Sequence, residues 1–189
     1  MSYLDEQLIF TDTEIYYIRS SSGQKIEVMM DWEDNLMSAS AAYACENGGD
    51  ILEVGFGMGI SAGYIQSHSI NSHTICENHP DVIPKAQTWA SDKPNVTIVT
   101  SSWYDVRNEL GTFDGIFYDT FGDPNFRHLS ASLSTLSNLN CKITWWNSTA
   151  GPDNPYNINV TDYELIECTP DTNHYYRHSK YYLPKYQYT

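Results

Sequence analysis

The sequence predicts an α/β fold: a mostly parallel sheet with helices on both faces and an antiparallel hairpin at its C-terminal end. Three observations predict it. Five short apolar, β-branched runs occur at 50–55, 73–77, 96–100, 114–119 and 141–146, and such continuous runs suit strands buried on both faces. Helical patterns fill the gaps between them, at 58–67, from Pro80, at 104–110 and at 125–138, which is the alternation of a covered parallel sheet. After Trp146 the alternation stops and two late strands, 162–168 and 174–183, flank the turn "TPDTN".

The elements follow in order. Residues 1–28 form an N-terminal arm, with β-like "EIYYIR" and "KIEVMM" separated by the turn chemistry of "SSSGQ". From Asp31 to Asn47 the spacing is helical: Trp32, Leu36, Ala39 and Tyr43 fall on one face, Glu33 and Met37 share another, and Gly48-Gly49 ends the helix. The segment "NSTAGPDNPYNIN" at 147–159 is too rich in turn residues to hold a long helix, so the last helix of the alternation is shortened or missing. No repeat or low-complexity segment interrupts the chain, and 189 residues suit one domain, 1–189, with 29–189 as its core.

Ten Lys and Arg against 24 Asp and Glu give a formal net charge of −14. That balance opposes nucleic-acid backbones and anionic membrane surfaces and favours a small or cationic partner, although surplus acid equally serves solubility. The four cysteines, Cys45, Cys76, Cys141 and Cys168, form no CxxC pair and follow no secretory leader, so reduced thiols in the cytoplasm are expected. No apolar run reaches the roughly 18 residues of a membrane span. His174 and His178 are four apart but have no ligand cluster beside them, so no metal is expected.

The stretch "DILEVGFGMGISAG" at 50–63 leads a strand into a glycine-rich loop. A dinucleotide fingerprint needs its third glycine three residues after the second, and Ile60 stands there instead. The pattern present is E-x-G-x-G-x-G, through Glu53, Gly55, Gly57 and Gly59, with Glu77 closing the next strand 24 residues after Glu53. A carboxylate there can accept from both hydroxyls of a ribose; alone, it is also an ordinary strand-terminal acid.

This loop resembles the first motif of class I S-adenosylmethionine-dependent methyltransferases. With "VMMDWEDNLM" (28–37), "ENHPDV" (77–82) and "FDGIFYDT" (113–120), residues 25–150 resemble guanidinoacetate N-methyltransferases and the small arginine N-methyltransferases that modify the internal, delta guanidino nitrogen. The resemblance implies a Rossmann-like sheet, S-adenosylmethionine as methyl donor and S-adenosylhomocysteine as product. It also implies that Met29 and Met37 contact the cofactor and that Phe56, Gly57, Met58, Gly59, Ile60 and Ser61 wrap its methionine part. Glu77 holds its ribose with Asn78 beside it. Trp103 and Tyr104 match a Trp-acid pair near the adenine, with tyrosine in place of the acid. Glu33 and Asp119 match two carboxylates that grip the substrate guanidino group, Asp119 also bordering the cofactor. Ser148 and Thr149 match a segment whose carbonyls grip the same group.

The chemistry supports an acid pair independently. A guanidinium is planar, always protonated in water and a poor nucleophile. Two carboxylates can hold its N–H groups at about 2.7–2.9 Å and so fix its plane, and one can take the proton released as the new bond forms. Asp119 ends an apolar strand where ligands bind in such sheets, though a strand-end acid can also cap a turn; Glu33 equally suits the positive end of a helix dipole. The activity expected is methyl transfer to a guanidino or amino nitrogen of a small molecule or of an arginine residue. Two alternatives stay open: a non-catalytic cofactor-binding protein whose tyrosine-rich end mediates assembly, homodimeric or otherwise, and transfer to an oxygen or carbon nucleophile. Guanidinoacetate carries a carboxylate, and no arginine in the sequence is an obvious partner for it.

Overall fold

A computed structural model describes residues 2–149, 151–152, 156, 158–170 and 175–189. The N-terminal arm folds into a small antiparallel sheet of β1 (Ile9–Phe10), β2 (Glu14–Ile18) and β3 (Lys25–Met30). A 3₁₀ turn at Asp31–Glu33 leads into α1 (Asp34–Ala44), and β4 (Asp50–Val54), α2 (Ile60–Ser67), β5 (Ser72–Cys76), α3 (Ile83–Ala90) and β6 (Val96–Val99) follow. Then come α4 (Trp103–Val106), β7 (Phe113–Tyr118), α5 (Leu129–Leu136), β8 (Ser137–Trp145), β9 (Asp162–Glu167) and β10 (Lys180–Gln187).

The main sheet has seven strands in the order β6-β5-β4-β7-β8-β10-β9. β4 pairs in parallel with β5 and β7, and β10 is antiparallel to both β8 and β9. Chain direction in space therefore reverses beside β4, from which neighbouring strands are reached in opposite directions; ligands of open α/β sheets bind at the carboxyl ends of such strands.

Strand periodicity assigns the two faces. In β7, Ile116 and Tyr118 pack with Leu129, Leu133 and Leu136 of α5 on one face, while Phe117 packs with Leu36 and Met37 of α1 on the other. Burial of Phe117 contributes on the order of 1.5–3 kcal/mol. Gly115 is obligatory on the α1 face, because a Cβ there would lie 1.9 Å from the Ala44 carbonyl oxygen. α1 is thus pressed directly onto the sheet backbone, which sets the position of its N-terminal turn.

No helix is described between β8 and β9. Tyr156, Ile158 and Val160 pack on that face instead, the Tyr156 ring meeting Trp145, Tyr118 and Phe126 at centroid distances of 5.3, 5.6 and 6.1 Å. The late strand expected at 174–183 is displaced to 180–187, since Tyr175 and Tyr176 are committed to side-chain packing against Trp32 and Trp146 rather than to the strand ladder. Residues 171–173 of the expected "TPDTN" turn, and His174, lie outside the described residues. The helix expected at 104–110 is limited to α4. Among the described residues no helix is long and apolar enough to cross a membrane, and no group of His, Cys, Asp or Glu could hold a metal ion.

Candidate active site

A cavity of about 420 Å³ opens at the carboxyl ends of the central strands. Gly55, Glu77, Asp119 and Trp146 each directly follow a strand (β4, β5, β7 and β8) and each lines it. The arm closes the opposite side through Ser2, Tyr3, Leu4, Ile15, Glu27 and Val28. Tyr3 is held there by rings, 4.6 Å from His79 and 4.9 Å from Phe121.

The glycine loop is compressed between two neighbours. Gly55 has φ 93°, and a Cβ would fall 1.9 Å from the Asp119 carbonyl oxygen; Gly57 has φ 54°, and a Cβ would fall 2.5 Å from the Met29 sulfur. Side chains at either position would be strained and would clash. The loop therefore presents bare backbone to the cavity, leaving room for a ligand to approach closely. Beside it, the Glu77 carboxylate accepts from the backbone N–H groups of Phe56 (3.0 Å), Asn78 (2.8 Å) and His79 (2.8 Å). Three donors fix its orientation, and a carboxylate with about four lone-pair directions retains capacity for a hydroxyl.

Glu33 and Asp119, 86 residues apart in the sequence, line the same cavity. Oε1 of Glu33 accepts from the Met30 N–H at 3.0 Å and from the Tyr175 hydroxyl at 2.6 Å. Burial, and then the charge of Asp119, push the Glu33 carboxyl up to about 8, while its two hydrogen bonds oppose the shift. Burial, and then the charge of Glu53, push Asp119 up to about 7. The side chain of Glu33 is only 3% exposed, so a buried acid pair without a cation pays desolvation twice.

Several other residues expected at the site sit elsewhere. Glu53 is fully buried behind the loop, accepting from the Ser61 hydroxyl and pairing with His73 Nε2 at 2.9 Å; alternation in β4 turns it toward α2 rather than the cavity. Met37 is enclosed in the core with Phe117. Met58, Gly59 and Ile60 turn the chain into α2, and the Met58 N–H points to the Met29 sulfur at 3.2 Å. Tyr104 lies outside the lining, stacked on His128 at 4.5 Å with the Arg107 guanidinium 3.9 Å from its ring; the next residue, Asp105, lines the cavity instead. Met29, Phe56, Gly57, Ser61, Asn78, Trp103 and Ser148 line it, whereas Thr149 bonds to Asn147 Oδ1 and the Gly151 carbonyl at 3.0 Å each.

Asp123 was not singled out from the sequence. It accepts from Trp103 Nε1 at 2.8 Å and from the Tyr118 hydroxyl, tying the cavity-lining loop 119–125 to α4. Tyr175 was one of many tail tyrosines. Its nearest sequence signal is the aromatic density of the tail, which does not say which ring turns inward. Among the described lining residues six are carboxylates (Glu27, Glu33, Glu77, Asp105, Asp119 and Asp123) and none is Lys, Arg or His.

A profile of the guanidinoacetate N-methyltransferase family matches residues 22–130. The chain is 41% identical over 135 residues to a protein arginine N-methyltransferase 2 of Yarrowia lipolytica, covering 65% of this chain and 28% of that protein. It thus spans less than a third of that relative's length. Among solved structures, spermidine synthase from Thermotoga maritima superposes with a TM-score of 0.63 at 13% identity, over 96% of this chain and 72% of that one. A putative methyltransferase, yhhF, from Escherichia coli gives 0.60 at 14% identity, over 96% and 98%. At such identities the structures establish a shared fold and no shared chemistry.

Proposed function

The chain belongs to the guanidinoacetate N-methyltransferase family, and on that premise we propose that it transfers a methyl group from S-adenosylmethionine to a guanidino nitrogen, of an arginine residue or of a small guanidino compound. The observation that carries this reading is the buried pair of Glu33 and Asp119 in a cavity whose described lining has no basic side chain. Such a pair is electrostatically unfavourable alone and is relieved by a cation. A planar cation with several N–H groups answers both charge and geometry.

The donor fits the other half of the cavity. Backbone freed of side chains at Gly55 and Gly57 suits the amino-acid end of S-adenosylmethionine, and the anchored Glu77 carboxylate suits its ribose diol. Trp103 and Asn78 line the same cavity. When bound, S-adenosylmethionine supplies an electrophilic methyl group on a sulfonium.

The residues of this chain supply positioning and a base. Glu33 and Asp119 accept N–H groups of the guanidinium and hold its plane, and Trp146 walls the same space. As a nitrogen gains its methyl group it must lose one proton, which Asp119 takes. Burial makes this carboxylate a better base than one in water, while the bound cation restores its ionised form. Fixing both reactants can contribute up to roughly 7–11 kcal/mol.

The lining also bears on which acceptor fits. A carboxylate-bearing guanidine such as guanidinoacetate would meet acids and no cation among the described lining residues. An arginine within a peptide, or an alkylguanidine, brings no free carboxylate into that acidic lining. Cysteines 45, 76, 141 and 168 are buried and free, which suits the cytoplasmic location we propose with this activity.

The test is methylation by the purified chain with S-adenosylmethionine and three acceptors: guanidinoacetate, agmatine and an arginine-containing peptide. Mass spectrometry should find one added methyl on a guanidino nitrogen of the carboxylate-free acceptors. No product from any acceptor, with S-adenosylhomocysteine bound, would refute the proposed activity.

A further inference from the structure

Tyr175 lies 142 residues from Glu33, yet its hydroxyl donates to Oε1 of that carboxylate at 2.6 Å and its side chain lines the cavity. Its ring sits 5.9 Å from Trp32, the residue before Glu33, and 6.4 Å from Trp146, which also lines the cavity. The two indoles hold the ring, and the ring aims the hydroxyl. With Tyr175 and the Met30 N–H both on Oε1, Oε2 has no hydrogen-bond partner among the described residues and is left for a ligand.

We propose that Tyr175 is a positioning residue that locks Glu33 in the orientation needed to receive the guanidino group, so that the segment before the last strand completes a site otherwise lined by the arm and by residues at the ends of the central strands. The inference rests on the function proposed above. Without the hydroxyl, Glu33 would keep only the Met30 N–H as a donor, would lose one of the two bonds that fix its carboxylate, and would hold its proton more tightly, because a donor favours the ionised form. The titratable groups that bear on Glu33 are Asp119 at the end of β7, Tyr175 itself and Tyr181 of β10. Burial and the Glu33 charge keep the Tyr175 phenol protonated, so it acts as a donor throughout the working range.

The experiment compares the full chain with Tyr175→Phe, which keeps the ring and removes only the donor. Loss of a hydrogen bond to a charged group predicts a fall of about 10- to 100-fold in kcat/KM for the guanidino acceptor. The acid limb of the pH profile should move to higher pH, and S-adenosylhomocysteine affinity should be unchanged. A merely structural tyrosine would not move that limb. Replacing Tyr175 with the near-isosteric 3-fluorotyrosine, whose phenol is the stronger donor, should move the limb to lower pH; this variant serves if the phenylalanine variant does not fold.

Binding of ethylguanidinium, measured calorimetrically, separates the two failures. If wild type methylates nothing but binds this probe more tightly than Tyr175→Phe does, the activity falls and the positioning role stands. If wild type is active and folded Tyr175→Phe matches it in kcat/KM and in its acid limb, the positioning role is overturned. An unmoved limb in the fluorotyrosine protein overturns it equally.

Discussion

Replacing Asp119 by Asn removes a charge and a proton acceptor with little change in shape. The backbone at this position need not change: the Asp119 N–H donates to the Val54 carbonyl at 2.9 Å, and its own carbonyl oxygen abuts Gly55. Two effects on activity follow. Loss of one charge-assisted hydrogen bond costs about 1.5–3 kcal/mol of acceptor binding, and loss of the base costs about 10²–10⁴-fold in turnover. Stability moves the other way. The folded-state value of Asp119 is raised, to about 7 from 3.8, so its protonated form is the one that folding favours. Its contribution is present at low pH and is lost as pH rises through about 7. Asn mimics the protonated form at every pH, and a three-unit shift at 1.36 kcal/mol per unit bounds the gain above pH 8 at roughly 4 kcal/mol. Thermal melts at pH 5 and pH 8.5, with a radiolabelled methyl-transfer assay, read both effects. A Tm equal to wild type at both pH values, or undiminished turnover, would refute the reasoning.

The other predictions concern the same cavity. Because Glu33 and Asp119 must both be ionised to hold a cation, kcat/KM for the acceptor should rise with pH through about 7 to about 8; a profile flat from pH 6 to 9 would contradict that pairing. Glu77→Gln places an amide where three backbone donors converge, and should weaken S-adenosylhomocysteine binding by about 10- to 100-fold in a calorimetric titration. In Gly55→Ala the new Cβ meets backbone 1.9 Å away at φ 93°, and a denaturant melt should show a loss of more than about 2 kcal/mol.

How much was legible varies by element for physical reasons. Strands buried on both faces leave unbroken apolar runs, so β4, β5, β6, β7 and most of β8 can be read directly; their ends are blurred by a residue or a few. β8 begins at Ser137, directly at the end of α5, because Ser137 already pairs with Phe113; the register then shifts before it resumes at Lys142, and the polar Asn138 in between bonds through its side chain to Asp114 at 2.9 Å. Side-chain direction is harder. Glu53 stands in the glycine motif, but one step of strand alternation sends it under the loop to Ser61 and His73. Tyr104 and Asp105 are adjacent on a single helical turn, and only the second lines the cavity.

The sequence by itself determined the alternating α/β plan, the family, the glycine loop that only backbone could pass, and acids at strand ends where such sheets bind ligands. These are local matters, settled by side-chain period and by the steric limits of single residues. Tertiary structure alone decided that Glu33 and Asp119 share one cavity with no basic side chain among its described lining residues, that Tyr175 reaches back to Glu33, and that Tyr156, Ile158 and Val160 cover the face where no helix is described. Contacts between residues 86 or 142 positions apart leave no periodic trace in a single chain. They arise only when close packing, as of α1 against Gly115, fixes where each element comes to rest.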